Sequence, residues 1–130
     1  MQQETTFRRV LWASALFNLG GGLLFAFPSS LPSQLVGLPT PVPAVYSTLL
    51  ALFIILFGGA YAWLALQPTI DRPMVAFSAI GKAAAFFTLF GFWLAGEAPA
   101  RSVLAILGDL IFAGLFFWWL RATRTGKPAG

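Results

Sequence analysis

Residues 74–120 read MVAFSAIGKAAAFFTLFGFWLAGEAPARSVLAILGDLIFAGLFFWWL. Two apolar runs are joined by a short break from Gly96 to Arg101, and each run carries one charge in its interior, Lys82 in the first and Asp109 in the second. At a rise of ~1.5 Å per residue, ~20 residues of helix cross the ~30 Å of bilayer hydrocarbon. Both runs have that length, so the stretch reads as a transmembrane hairpin with one ionisable group inside each arm. The second arm ends in Trp118 and Trp119 followed by Arg121, Arg124 and Lys127, aromatic belt then cations, which is how a helix leaves a membrane.

Two further spans lie N-terminal to this hairpin. Ala44 to Leu66 is apolar, with Tyr46 and Trp63 near its ends where amphipathic rings favour the interface. Phe7 to Phe27 is interrupted only by Arg8, Arg9, Ser14 and Asn18. Its apolar core is too long for a signal peptide, and no small-x-small cleavage site precedes Pro28. Asp71 and Arg72, in the turn between the second and third spans, read as a solvated pair. The first and second spans are separated by Pro28, Pro32, Pro39, Pro41 and Pro43, a density that forbids one continuous helix. No charge falls between Pro28 and Pro43, while Leu31, Leu35, Val36 and Leu38 keep the stretch apolar. It reads as a segment lying in the membrane interface with a helical turn over Ser33 to Val36, or as a re-entrant loop.

The expected fold is therefore all-α: an antiparallel bundle of four transmembrane helices, at about 7–27, 44–66, 74–95 and 102–120, with a Pro-rich interfacial loop between the first two. Residues 1–130 form a single transmembrane domain, with a disordered tail at 121–130. No internal repeat is evident at any period. Composition agrees, since 58% of residues are hydrophobic and 9% charged, against roughly 25% charged in a soluble domain. The protein has no Cys, which excludes disulfides and thiol chemistry, and no His, which removes the usual general base and the commonest metal ligand. No cofactor, metal or catalytic residue is expected. The basic balance does not indicate nucleic acid, because the cations flank apolar runs where they meet lipid headgroups.

Four spans place both termini and the second loop on one side. That side holds Arg8, Arg9, Arg72, Arg121, Arg124 and Lys127, and the other holds Arg101 alone. The positive-inside rule then makes both termini cytoplasmic in a cell (inner) membrane.

Depth along the helices brings the interior polar groups together. Lys82 lies about 12 Å from the cytoplasmic face, and Asp109 and Asn18 about 16 Å. Isolated charges at a helix centre cost roughly 2.5–3.5 kcal/mol each on insertion scales, so Lys82 and Asp109 should pair across the third and fourth helices, with Asn18, Thr88 or Tyr61 supplying hydrogen bonds. Such a pair is either a registration clamp or the lining of a polar cavity for an ion, a proton or a lipid headgroup. Ser78, Lys82 and Ala85, and Gly81, Ala85 and Thr88, recur at helical spacing and give the third helix one small, polar side, with Phe77, Phe87 and Leu94 opposite. Gly21, Gly22, Gly58, Gly81 and Gly108 are candidate helix-packing positions, where a missing side chain lets a neighbouring helix approach.

The motifs Phe17-Asn18-Leu-Gly-Gly-Gly, Phe27-Pro28 through Leu35-Val36-Gly37-Leu38-Pro39, Gly58-Gly59-x-Tyr61, Gly81-Lys82 and Gly108-Asp109 resemble those of small bacterial four-helix membrane proteins grouped as DoxX-like. The resemblance spans nearly the whole chain and implies membrane location without a particular activity. Small multidrug resistance transporters have a similar length, but they rely on a glutamate in the first helix where this chain has Asn18. Fluoride channels insert in dual orientation, which the six-to-one cation bias opposes. The bilayer, a larger membrane protein and a homo-oligomer are the partners in view. The reading is an accessory or interaction protein binding lipid or a larger membrane complex. The alternative is a subunit of an oligomeric transporter using Lys82 and Asp109.

Overall fold

The computed structural model describes residues 2–39 and 41–124, and Thr125 to Gly130 lie outside that range. Among the described residues there are five helices and no strand: α1 (Gln2–Ala26), α2 (Leu31–Leu35), α3 (Ala44–Leu66), α4 (Arg72–Leu94) and α5 (Ala100–Ala122). Four of them, all but α2, are long and apolar enough to cross a bilayer, so the chain is a multi-pass membrane protein. Much of their apolar surface faces outward, including Leu16, Leu56, Trp63, Phe87 and Leu104.

Each helix boundary has a local cause. Glu4 pairs with Arg8 one turn on at 2.6 Å, and helix α1 includes this polar first turn, so it starts at Gln2 and not near Phe7. The side chain of Asp71 accepts from Met74 N–H, and Pro73 occupies the first turn, which starts α4 at Arg72. Asp71 and Arg72 thus serve two different helices and are not a solvated pair. Helix α4 ends where Gly96 adopts φ +79°, with Gly96 N–H on Trp93 O and Glu97 N–H on Phe92 O. The short α2 ends in the same way at Gly37, φ +80°, with Gly37 N–H on Gln34 O and Leu38 N–H on Ser33 O. Both are left-handed helix caps for which glycine carries no Cβ penalty. The helical turn expected over Ser33 to Val36 lies slightly earlier, at Leu31–Leu35. At the other end of the chain Arg121 and Ala122 belong to α5 and not to a disordered tail.

The four long helices form two antiparallel hairpins, α1 with α3 and α4 with α5, joined mainly where α1 meets α5. An arginine locks each hairpin at the end that bears both termini. Arg8 donates to Ala65 O at 2.6 Å and Pro68 O at 3.2 Å, covering the free carbonyls that close α3. Arg72 donates to Leu120 O at 2.7 Å and to Thr123 Oγ1, and its guanidinium lies over the Trp119 ring at 5.3 Å, doing the same for α5.

These two locks expose a repeat that the sequence conceals. Aligning Arg8 with Arg72 also sets Leu11 on Val75, Ser14 on Ser78, Ala15 on Ala79 and Asn18 on Lys82. Aligning Ala65 with Leu120 sets Leu64 on Trp119, Tyr61 on Phe116, Gly58 on Ala113, Ile54 on Asp109 and Ser47 on Ser102. Apart from Arg8, Arg72, Ala15, Leu120, Ile54 and Asp109, every residue of these pairs is buried. The hairpins therefore share one packing register despite having few identical residues. The correspondence runs at different offsets for the two arms, because α2 lengthens only the first connection, so no single period aligns the hairpins.

The core fills only half of the bundle. Phe7, Leu11, Tyr61, Leu64, Ile70, Val75, Phe116 and Trp119 pack together at the end bearing the termini. There Phe7 stacks on Trp119 at 4.4 Å and meets Phe116 edge-on at 5.6 Å. Across the opposite end, the α2 segment closes over the start of α5: Ser102 Oγ donates to Val36 O at 2.8 Å and Gly37 O at 3.2 Å. Its other side is tied to α1 by Ser33 Oγ, which donates to Leu24 O and Phe27 O.

Candidate functional site

Midway along the bundle, Lys82 of α4 reaches both hairpins. Its Nζ lies 2.7 Å from Asp109 Oδ1 on α5 and 2.9 Å from Asn18 Oδ1 on α1. Asn18 in turn donates from Nδ2 to Ile54 O of α3 at 3.0 Å, so one chain of polar contacts links all four long helices. Lys82 is 4% exposed, which makes such satisfaction necessary. Asn18 and Lys82 occupy matching register positions, and so do their partners Ile54 and Asp109. One hairpin makes this tie with an amide and a carbonyl, and the other with an ion pair.

Three aromatic faces surround the ammonium. Its Nζ lies 4.9 Å from the ring centre of Tyr61, 5.4 Å from Phe112 and 5.6 Å from Phe17. The negative faces of these rings favour a cation held away from water by about 0.5–2 kcal/mol each. Tyr61 contributes its ring, not its hydroxyl, to the lysine. Thr88 does not join the cluster, because its hydroxyl is turned back to Ala84 O of its own helix. The aromatic ring around Lys82 was the part that sequence reasoning missed. Its signal lay in Phe17, adjacent to Asn18, and Phe112, one turn beyond Asp109.

The expected glycine contacts divide into two groups. A Cβ on Gly22 would run into Ile55, one on Gly58 would stand 3.0 Å from Asn18 Cβ and 3.1 Å from Ala15 O, and one on Gly108 would meet the Phe17 ring. These are true points of close helix approach. Gly21 has only an ordinary contact with Ile54, and a Cβ on Gly81 would meet nothing within 4 Å. Gly81 is thus not a packing position. It opens onto empty space.

That space is a cavity of about 670 Å³ between the hairpins, on the α2 side of the polar cluster. Asn18, Lys82 and Asp109 form its floor, with Tyr61 and Ser78 beside them, and Val36, Leu38 and Ser102 lie at its far end. Its walls are apolar, among them Phe25, Phe53, Phe57, Phe77 and Phe92. The small, polar side of α4 lines it through Ser78, Gly81, Lys82, Ala85 and Thr88. Helices α3 and α4 are not closely packed on each other, and Phe53 and Phe77, both exposed, line the cavity on these two helices. Among the described residues no group of acidic or sulfur ligands could hold a metal ion.

No protein-family model, curated protein or solved structure matches the chain.

Proposed function

We propose that this is an accessory membrane protein that binds a lipid in the cavity between its two hairpins. The observation that carries this reading is the cavity itself: about 670 Å³, walled by apolar and aromatic side chains, with a few convergent polar groups at one end. Ligand sites have this character, and their volumes run from roughly 300 to 1,000 Å³. Because α3 and α4 are not closely packed on each other, the gap between them gives a molecule dissolved in the hydrocarbon of the bilayer a route into the cavity. The six-to-one distribution of cations supports an orientation with both termini cytoplasmic in a bacterial inner membrane. A reporter fused after residue 130 and active only in the cytoplasm tests that orientation.

The test of lipid binding is extraction of the lipid that accompanies the purified protein, compared with a Gly81→Leu variant. Gly81 lines the cavity and a Cβ there meets nothing within 4 Å, so a leucine at this position takes up cavity space. A defined lipid recovered with the wild-type protein and lost from the variant supports the reading. Equal recovery from both contradicts it.

A second reading is a transporter subunit. The repeat of one packing register about a central cavity with an ionisable pair at its floor favours it, since many transporters place substrate sites between internal repeats near mid-membrane. Discrete oligomers in nanodiscs, with uptake lost on Lys82→Met, would favour transport over an accessory role.

A further inference from the structure

We infer, building on the lipid-binding reading, that the cavity takes a hydrocarbon-chain molecule with a single uncharged hydroxyl head, which enters sideways between α3 and α4 and seats its hydroxyl between Lys82 and Asp109.

The polar floor of the cavity has unused hydrogen-bonding capacity. The amide of Asn18 is engaged at both ends, with Oδ1 accepting from Lys82 and one of the two Nδ2 N–H groups donating to Ile54 O. An ammonium has three N–H donors, of which Lys82 directs one to Asn18 and one to Asp109. The third has no acceptor among the described residues; the rings of Tyr61, Phe112 and Phe17 lie around the ammonium, and Lys82 lines the cavity. Asp109 accepts through Oδ1, and among the described residues no hydrogen bond reaches its Oδ2. Its side chain is 18% exposed and lies on the cavity wall. One donor and one acceptor are therefore open side by side. A hydroxyl is the smallest group that satisfies both, donating to Asp109 and accepting from Lys82.

Charge decides against the other lipid heads. Lys82 and Asp109 together are neutral, so a carboxylate or phosphate brought to this floor would leave one uncompensated negative charge in a low-dielectric site beside Asp109. A quaternary ammonium would leave a positive charge and has no N–H for Asp109. A ketone or ether has no proton to donate and would leave Asp109 Oδ2 unpaired. The approach route agrees. The floor lies deep in the bundle, and entry between the loosely packed α3 and α4 passes through hydrocarbon, a path that a charged headgroup could follow only at large desolvation cost. A hydroxyl on a long chain can make that passage.

The cavity also has the length for a chain. Lys82 and Phe92 both line α4's side of it, ten residues apart, which is about 15 Å of helix. The head lies at the floor and the chain runs toward Phe92 and Leu38 or out through the opening.

The experiment uses the full chain in detergent micelles, with 1-hexadecanol, its methyl ether and hexadecanoic acid as probes. Bound mass is read by native mass spectrometry and checked by the shift in thermal unfolding. The expected result is binding of the alcohol about tenfold or more tighter than the ether or the acid, with loss of alcohol binding in Gly81→Leu. Equal binding of ether and alcohol would overturn the hydroxyl assignment and leave the lipid cavity standing. Preference for the acid would overturn it in favour of an anionic head. If none of the three binds, the lipid-binding reading itself fails along with it.

Discussion

Asn18 and Lys82 occupy the same register position in two repeated hairpins and touch each other across the boundary between them, Oδ1 to Nζ at 2.9 Å. The contact stands where the two halves of the molecule part. On one side lies the aromatic core built on Phe7, Phe116 and Trp119, and on the other the cavity. Removing either polar group therefore disturbs both packing and site.

The ion pair should behave as a unit. Lys82→Leu or Asp109→Leu leaves one buried charge unmatched and should cost about 3–5 kcal/mol, whereas the double substitution should recover most of that loss. Thermal unfolding of the three variants in one detergent measures the coupling. Three variants that all unfold like the wild type would show that the pair does not hold α4 to α5.

The two arginine locks should be separable. Arg72→Ala removes donors from Leu120 O and Thr123 Oγ1 and a cation from the Trp119 ring. Arg8→Ala removes donors from Ala65 O and Pro68 O. Each should lower stability by about 1–3 kcal/mol. Hydrogen exchange should quicken at the end of α5 in the first variant and at the end of α3 in the second. Exchange spread evenly over both hairpins in either variant would contradict the assignment.

Neighbouring glycines should respond with opposite sign. Gly58→Ala places a methyl against Asn18 and Ala15, while Gly59→Ala meets nothing within 4 Å. The second change should stabilise by up to about 1 kcal/mol through helix propensity alone, and the first should destabilise. Melting temperatures of the two single variants decide it.

Two serines at matching positions differ in the same way. Ser78 Oγ donates to Met74 O at 2.8 Å, but Ser14 Oγ is fully buried and has no hydrogen-bond partner among the described residues. Ser14→Ala should therefore raise stability by about 1 kcal/mol, because it removes an unsatisfied polar group from the interior. Ser78→Ala should not. A loss of stability in Ser14→Ala would show that the hydroxyl is satisfied.

Much of the architecture was legible in the sequence, for a physical reason. A helix that crosses hydrocarbon satisfies its own backbone, so length and apolarity of each run suffice to place it. The pairing of Lys82 with Asp109 was legible too, since two ionisable groups at similar depth on adjoining helices have strong reason to meet. The aromatic cage was not. Phe17 and Phe112 look like any other phenylalanine in this chain until their rotation about each helix is known, and Tyr61, expected for its hydroxyl, contributes its ring. Gly81 and Gly22 likewise look alike in sequence, yet one opens onto a void and the other is pressed against Ile55.

By itself, then, the sequence determined that four apolar helices span a membrane and that three polar residues share a depth, because both follow from one-dimensional properties: run length, charge and rise per residue. Only the tertiary structure decided that the helices form two hairpins in a common register, that they pack tightly on one side of Lys82 and part on the other, and that a cavity results. Those features depend on which face each helix turns inward. In a chain that is apolar nearly all round, hydrophobic pattern carries little information about that choice, and it is the fit of side chains such as Phe7 on Trp119 and Ile55 on Gly22 that makes it.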